Sequence, residues 1–232
     1  MENTGKPLRI ALLGYGRMGR EIEKVALARG HEIVCKIDSE QDFDTQAEAW
    51  HRADMAIEFS VPAAVVSHIE RCLAAAKPVV VGTTAWQHEE TRLRAQCTAS
   101  GGAVVAAANF SVGVNIFLQL VKRSGELFRQ QPQYAGRMVE THHIHKLDAP
   151  SGTAVSMNAA LAQGGYPAVP IASERRGEVV GIHELFFESE QDIVEIRHEA
   201  KSRAGFALGA VVAAEWLSGR SGWYGMADVL GF

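Results

Sequence analysis

The sequence predicts an α/β fold: an N-terminal doubly wound parallel sheet, followed by an α+β second domain built on an open mixed sheet. Three observations lead there. Short apolar runs alternate with helical patterns between residues 8 and 107, and a glycine-rich turn joins the first run to the first helical pattern. Past residue 130 the rhythm changes to clustered strand-like segments at 137–145, 179–189 and 192–200.

Residues 8–13 form an apolar run broken only by Arg9, short enough for a buried parallel strand, and end in Gly14-Tyr15-Gly16-Arg17-Met18-Gly19. Met18, Ile22, Val25 and Ala26 then recur at helical spacing until Gly30, and 31–37 reads as a second strand ending at Asp38. A G-x-G-x-x-G turn alone is common. With a strand before it, a helix after it and an acid 19 residues beyond Gly19, it points to a Rossmann-like dinucleotide site. The first glycine permits the tight turn, the second lets the backbone approach a pyrophosphate, the third lets helix and strand pack, and Asp38 can accept from a ribose.

The alternation continues with a strand at 54–59, a helix at 62–76, and a strand at 78–81 that ends in Gly82-Thr83-Thr84. A helix at 87–100 leads to a strand at 103–107, which ends in Ala108-Asn109-Phe110-Ser111. Ligands of an open parallel sheet bind outside the carboxyl ends of its strands, so both segments are candidates for cofactor contact. Each alone reads equally well as an ordinary turn or cap. An amphipathic helix follows at 111–130 despite Gly125, then the second domain, a last helix at 206–217, and a tail at 218–232 expected to return to the first domain. The boundaries expected are 1–111 with 204–232 for dinucleotide binding and 112–203 for substrate. Two crossings, near Ser111 and near 203–206, suit a hinge that closes a cleft.

A net charge of −4 on 232 residues argues against bulk nucleic-acid binding, so any anion must be recognised locally. Three cysteines, too few and odd in number for a disulfide framework, point to a reducing compartment. The opening residues show no leader-like apolar core and no run reaches membrane-spanning length, so a cytoplasmic protein is expected.

Titratable chemistry is densest at 140–154, E-T-H-H-I-H-K-L-D-A-P-S-G-T-A. Ser151 reads as a helix N-cap with Gly152 and Thr153 in the first turn, where unpaired N–H groups and the positive dipole end suit a carboxylate. Just upstream, His142, His143, His145 and Lys146 supply proton donors and positive charge. The grouping suggests an anionic substrate and proton transfer. Metal ligation by the histidines with Asp148 is the weaker reading, because the spacing matches no common zinc pattern; no metal is expected. A structural role at a strand end, or a solvated basic loop, remains the plain alternative.

Taken in order, G-Y-G-R-M-G-R, E-F-S at 58–60, G-T-T, A-N-F-S-V-G-V-N, H-H-I-H-K-L-D-A-P-S-G-T-A, E-I-R-H-E-A-K-S-R and A-E-W-L-S-G resemble the 4-hydroxy-tetrahydrodipicolinate (dihydrodipicolinate) reductase family over nearly the whole chain. The resemblance implies NAD(P)H-dependent reduction of a cyclic unsaturated dicarboxylate, formed by loss of water from the 4-hydroxy precursor, to tetrahydrodipicolinate in lysine and diaminopimelate synthesis. It implies His142 as proton donor or acceptor, Lys146 as a second acid, and His143 with Gly152 and Thr153 as substrate-binding; Ser151 joins them as the cap. It assigns the glycine loop, Asp38, 82–84 and 108–111 to the cofactor. It also implies a homotetramer, or in some relatives a dimer, assembled through the second domain.

Two departures lie beside the adenosine half of the cofactor: the shorter G-x-G-x-x-G spacing, and only a short connection between Asp38 and Asp54. NADH is expected to be preferred, with NADPH possible, because Asp38 suits free ribose hydroxyls and repels a 2′-phosphate. Ser39 stands where many relatives have arginine, while Lys36, Arg52 and Arg17 are cations that could favour the phosphate. Two rivals share the glycine loop: another two-domain dehydrogenase acting on aspartate or an amino acid, and a non-catalytic dinucleotide sensor. The first has no reason to carry the H-H-x-H-K-x-D-A-P-S-G-T segment, and in the second that segment would be only a ligand-independent fold element.

Overall fold

Apolar strands buried on both faces need helices on both faces, and the first part of the chain meets that demand. The computed structural model describes residues 6–232; residues 1–5, within the stretch read as lacking a leader, lie outside it. Strand β1 (Arg9–Leu13) leads through the glycine turn to α1 (Arg17–Ala28) and β2 (Glu32–Ile37). Then come α2 (Glu40–Thr45), α3 (Ala47–Arg52), β3 (Met55–Glu58), α4 (Pro62–Ala74), β4 (Val79–Val81), α5 (Glu90–Ser100) and β5 (Ala103–Ala106). After the second unit, α8 (Ala204–Leu217), β10 (Gly222–Tyr224) and α9 (Met226–Leu230) complete the first. All six strands are parallel, in the order β10-β5-β4-β3-β1-β2.

Each face of this sheet has its own core. Ile10, Leu12, Met55, Ile57, Val80 and Val105 pack with α1 and α8, while Leu13, Ile37, Val65, Ile69, Val79 and Val81 pack with α2 to α5. A fully buried side chain of this size contributes roughly 1.5–3 kcal/mol. Helix α8 is apolar apart from Glu215, which pairs with Arg29, and a Cβ on Gly209 would fall on the Phe110 carbonyl. The helix therefore lies directly against the segment that follows β5 and fixes its path.

The second unit, residues 113–202, begins within α6 (Val112–Phe128) and continues with β6 (Ala135–His142), α7 (Gly152–Gln163), β7 (Ile171–Arg175), β8 (Gly181–Glu188) and β9 (Ile193–Ala200). Its sheet order is β7-β6-β8-β9, with β6 and β7 parallel and the other pairs antiparallel, giving the open mixed sheet expected. Gly125 is explained here: its absent Cβ lets α6 approach the Leu161 carbonyl of α7.

Several local readings need correction. The connection between Asp38 and Asp54 holds two short helices, α2 opened by a capping box between Ser39 and Asp42 and each helix anchored by one aromatic, Phe43 and Trp50, with rings 5.2 Å apart. The first strand of the second unit ends at His142, not at residue 145, because Ile144 donates to the Gly177 carbonyl at 3.1 Å and Lys146 to that of His143 at 3.1 Å, closing a turn. The tail does return to the first unit, as a sixth strand; β10 is three residues long and starts at Gly222 with φ +128. Cys35, Cys72 and Cys97 are free and buried, and burial raises each thiol pKa, that of Cys35 to about 11. Among the described residues, no helix is long and apolar enough to cross a membrane.

Candidate active site

In the first unit, the segments proposed for the cofactor all stand at carboxyl ends of parallel strands. Gly14 has φ +92 and donates to the Ile37 carbonyl at 2.7 Å, and a Cβ there would meet the Phe59 carbonyl. The Tyr15 N–H donates to Asp38 Oδ1 at 2.5 Å, tying the turn to the acid after β2. Gly16 caps α1 with no side-chain bond, nothing lies within 4 Å of its missing Cβ, and no acid follows in the first turn. Arg17 and Met18 open the helix, and Gly19 fits against the Gly14 carbonyl. A groove of about 220 Å³ is lined by Met18, Phe59, Ser60, Pro62, Gly82, Thr83 and Thr84. Its wall is firm: Trp86 Nε1 donates to the Thr83 carbonyl at 2.6 Å, and the Phe59 ring lies over Gly82 and 5.6 Å from Phe110. Past β5, Ala108 is exposed, Phe110 is buried, and Ser111 donates its N–H to Asn109 Oδ1 at 2.8 Å. An open helix N-terminus beside a bare glycine and a ribose-competent acid fits a dinucleotide.

The second unit assembles a proton-handling group from three strands and a turn. Glu140 and His142 are two apart on β6 and share one face; β7 brings Arg175 opposite His142, and β8 brings His183 opposite Glu140. Glu140 is fully buried, its Oε2 meets His142 Nδ1 in a short hydrogen bond, and Arg175 Nη1 donates to its Oε1 at 3.1 Å. Burial works against ionising this carboxyl, but hydrogen bonds from Ser173, Arg175 and His142 outweigh it and hold the pKa below the usual carboxylate value. An ionised Glu140 assigns the proton to Nδ1 of His142 and leaves Nε2 for exchange. Gly181 makes room for that ring, since a Cβ would stand 3.1 Å from Nε2.

The turn after β6 carries His143, His145, Lys146 and Asp148. Arg175 pins it by donating to the carbonyls of Asp148 at 2.7 Å and Lys146 at 3.3 Å, while Lys146 Nζ donates to both Asp148 carboxylate oxygens at 2.8 and 2.9 Å. Helix α7 then starts at Ser151, whose hydroxyl accepts from the Ala154 N–H at 3.2 Å and lies 3.1 Å from His183 Nε2. Gly152 is exposed with nothing within 4 Å of its missing Cβ, and Thr153 is half-buried. His142, Lys146 and the α7 start are thus held in one unit, whereas His145 points to Glu178 at 3.6 Å and is largely exposed. The carboxylates and imidazoles that converge are Glu140, His142 and His183, not the set of His142, His143, His145 and Asp148 weighed from spacing.

Burial pushes the His142 pKa below its ordinary 6.5, with Glu140 opposing the shift. Burial also drives His183 down to about 4, and the His142 charge adds to the effect. The linkage consequence for His183 is definite in sign. Unfolding exposes the imidazole, so between pH 6.5 and about 4 the unfolded chain binds a proton that the folded chain refuses. This contribution is full above pH 6.5 and falls by about 3 kcal/mol toward pH 4. Urea midpoints measured at pH 7 and 4.5 should show the fall, and His183→Gln should flatten it; an unchanged slope in that variant would contradict the assignment.

Residues 8–110 match the family model described as dihydrodipicolinate reductase, N-terminus, and residues 113–230 the model of its C-terminus. The chain is 41% identical over 235 aligned residues to the 4-hydroxy-tetrahydrodipicolinate reductase of Christiangramia forsetii, covering 96% of this chain and 98% of that relative. Its fold is similar to a dipicolinate-bound dihydrodipicolinate reductase from Paenisporosarcina sp. TG-14, with a TM-score of 0.79 at 18% identity over 96% of this chain and 99% of that one. It resembles more distantly an aspartate semialdehyde dehydrogenase II from Vibrio cholerae, with a TM-score of 0.55 at 12% identity over 91% and 98% of the two chains. Matched along both halves, the chain belongs to the dihydrodipicolinate reductase family, the NAD(P)H-dependent oxidoreductases of lysine and diaminopimelate synthesis.

Proposed function

We propose that the Glu140–His142 pair completes the reduction of the dicarboxylate by protonating the carbon left electron-rich once hydride has been added to the conjugated C=C–C=N system. The bound nicotinamide supplies that hydride. His142 gives the balancing proton to the ring carbon, and tetrahydrodipicolinate is the product. Burial biases His142 toward its neutral form. A dianion placed beside it stabilises the imidazolium, so substrate and proton arrive together. Lys146 polarises the ring nitrogen or serves as a second acid, on leaving Asp148. His143 and the N–H groups at Ser151, Gly152 and Thr153 hold the carboxylates. The observation supporting this most strongly is the buried carboxylate on Nδ1 of His142, which fixes one tautomer on the residue that directly precedes the cationic turn.

In the same reading residues 1–111 with 204–232 bind the dinucleotide, and 112–203 bind substrate and assemble a homotetramer, or a dimer; the compact units at 113–202 and in the rest of the chain support this division. A monomer by light scattering at micromolar concentration would contradict the assembly. Buried, free cysteines suit a reducing cytoplasm. NADH is the preferred cofactor, because Asp38 presents a carboxylate beside the glycine turn and Ser39, the α2 cap, offers no cation. The kcat/KM for NADH should exceed that for NADPH, and the reverse order would show that Arg17 or Arg52 overrides Asp38.

A further inference from the structure

Lys36, on β2, lies two residues before Asp38, which follows directly on the strand's end, a span of about 6.6 Å along an extended chain. A flexible four-carbon stem spans that distance, so the Lys36 ammonium can reach a ribose held by Asp38. The structure engages it elsewhere. Its Nζ donates to Glu23 at 2.7 Å and to the Tyr15 hydroxyl at 3.0 Å, and lies 4.2 Å from the Tyr15 ring centroid. The Tyr15 hydroxyl donates in turn to Glu23, on α1, while the Tyr15 N–H holds Asp38. Hydrogen bonds from Lys36 and Tyr15 keep the Glu23 carboxyl below its usual range, and those with Glu23 and Tyr15 raise Lys36. The side chains are 39% exposed for Lys36 and 20% for Glu23, so the ammonium could turn outward once released.

We propose that Glu23 is a specificity-determining residue: it holds Lys36 on Tyr15, away from a 2′-phosphate, and so discriminates against NADPH together with Asp38. This rests on the NADH reading above. Asp38 repels the phosphate directly, whereas Glu23 removes the cation that would offset that repulsion. Arg20, whose guanidinium is 5.6 Å from the Tyr15 ring, has no carboxylate holding it in this way among the described residues and is not the group restrained.

The test is equilibrium binding, by tryptophan fluorescence or calorimetry, of NADPH and NADH to the whole chain. Glu23→Gln should tighten NADPH by on the order of 3- to 10-fold, the scale of one freed charge contact near the surface, and leave NADH within about twofold. Lys36→Met alone should change NADPH little. The double variant E23Q/K36M should lose the gain, and raising salt to ~0.5 M should shrink it in the single variant. Tightening of both cofactors alike, or a gain that survives Lys36→Met, would overturn the proposal, as would no change. Equal or tighter binding of NADPH by the parent would instead refute the reading of Asp38, and the E23Q response would still decide Glu23 by itself.

Discussion

Replacing His142 by glutamine should lower kcat by on the order of 10²- to 10⁴-fold while KM stays within a few-fold of the parent. Glutamine keeps the length and a hydrogen-bonding end but has no proton to give at neutral pH, so binding survives and the final protonation does not. The parent should also show a rate that falls as pH rises through the His142 pKa. For kcat/KM the inflection belongs to the free enzyme, where burial sets it below 6.5; for kcat it belongs to the complex, where the bound dianion raises it. The variant should lose this inflection. A variant with kcat near that of the parent would remove His142 from the mechanism and pass its role to Lys146.

Glu140 should be nearly as sensitive, for a reason that separates chemistry from folding. It is wholly buried between the His142 ring and the Arg175 guanidinium, so Glu140→Ala removes the carboxylate from both and leaves Arg175 only its backbone acceptors, at a cost of about 3–5 kcal/mol of stability. Glu140→Gln preserves the shape. Its amide can offer oxygen to only one of the two donors, and the ring loses the carboxylate that fixes its tautomer. A fall in kcat on the order of 10²-fold is expected, with the pH inflection moved down because the imidazolium loses a counter-charge. Stability should respond in the opposite pH direction from a raised group. Since the native carboxyl is held below its usual value of 4.5, its contribution is full at neutral pH and is lost as pH falls through the folded value. Urea melts of E140Q at pH 7 and pH 4 read this, and an unchanged kcat with only a lowered midpoint would make Glu140 purely structural.

How far the sequence could be read follows from which contacts are local. The glycine turn, its flanking strand and helix, and the Ser151 cap are set by neighbours within a few residues, and all were legible. The strand-like reading at 137–145 extends past His142, whereas Ile144 is 59% exposed on a turn. Glu140 could have been found by the period of two that places it beside His142. Arg175 and His183 reach the group only through the registers of β6 with β7 and β8, pairings between distant segments that no local pattern announces. Strand β7 follows Pro170 at a sheet edge with four of its five residues polar or small, so it lacked the alternation that marks a strand. The sequence also sets Lys36 two residues before Asp38, but does not show that Glu23 and Tyr15 engage it, because that bond depends on how α1 lies along β2.

The most direct test follows NADH absorbance while 4-hydroxy-tetrahydrodipicolinate is generated in place by its synthase. The account predicts oxidation that begins only when the precursor is supplied, scales with the amount of this chain, and nearly disappears with His142→Gln although NADH still binds. Bound NADH that stays unoxidised in the presence of precursor and unaltered chain would contradict it, and would leave a dinucleotide sensor as the better description.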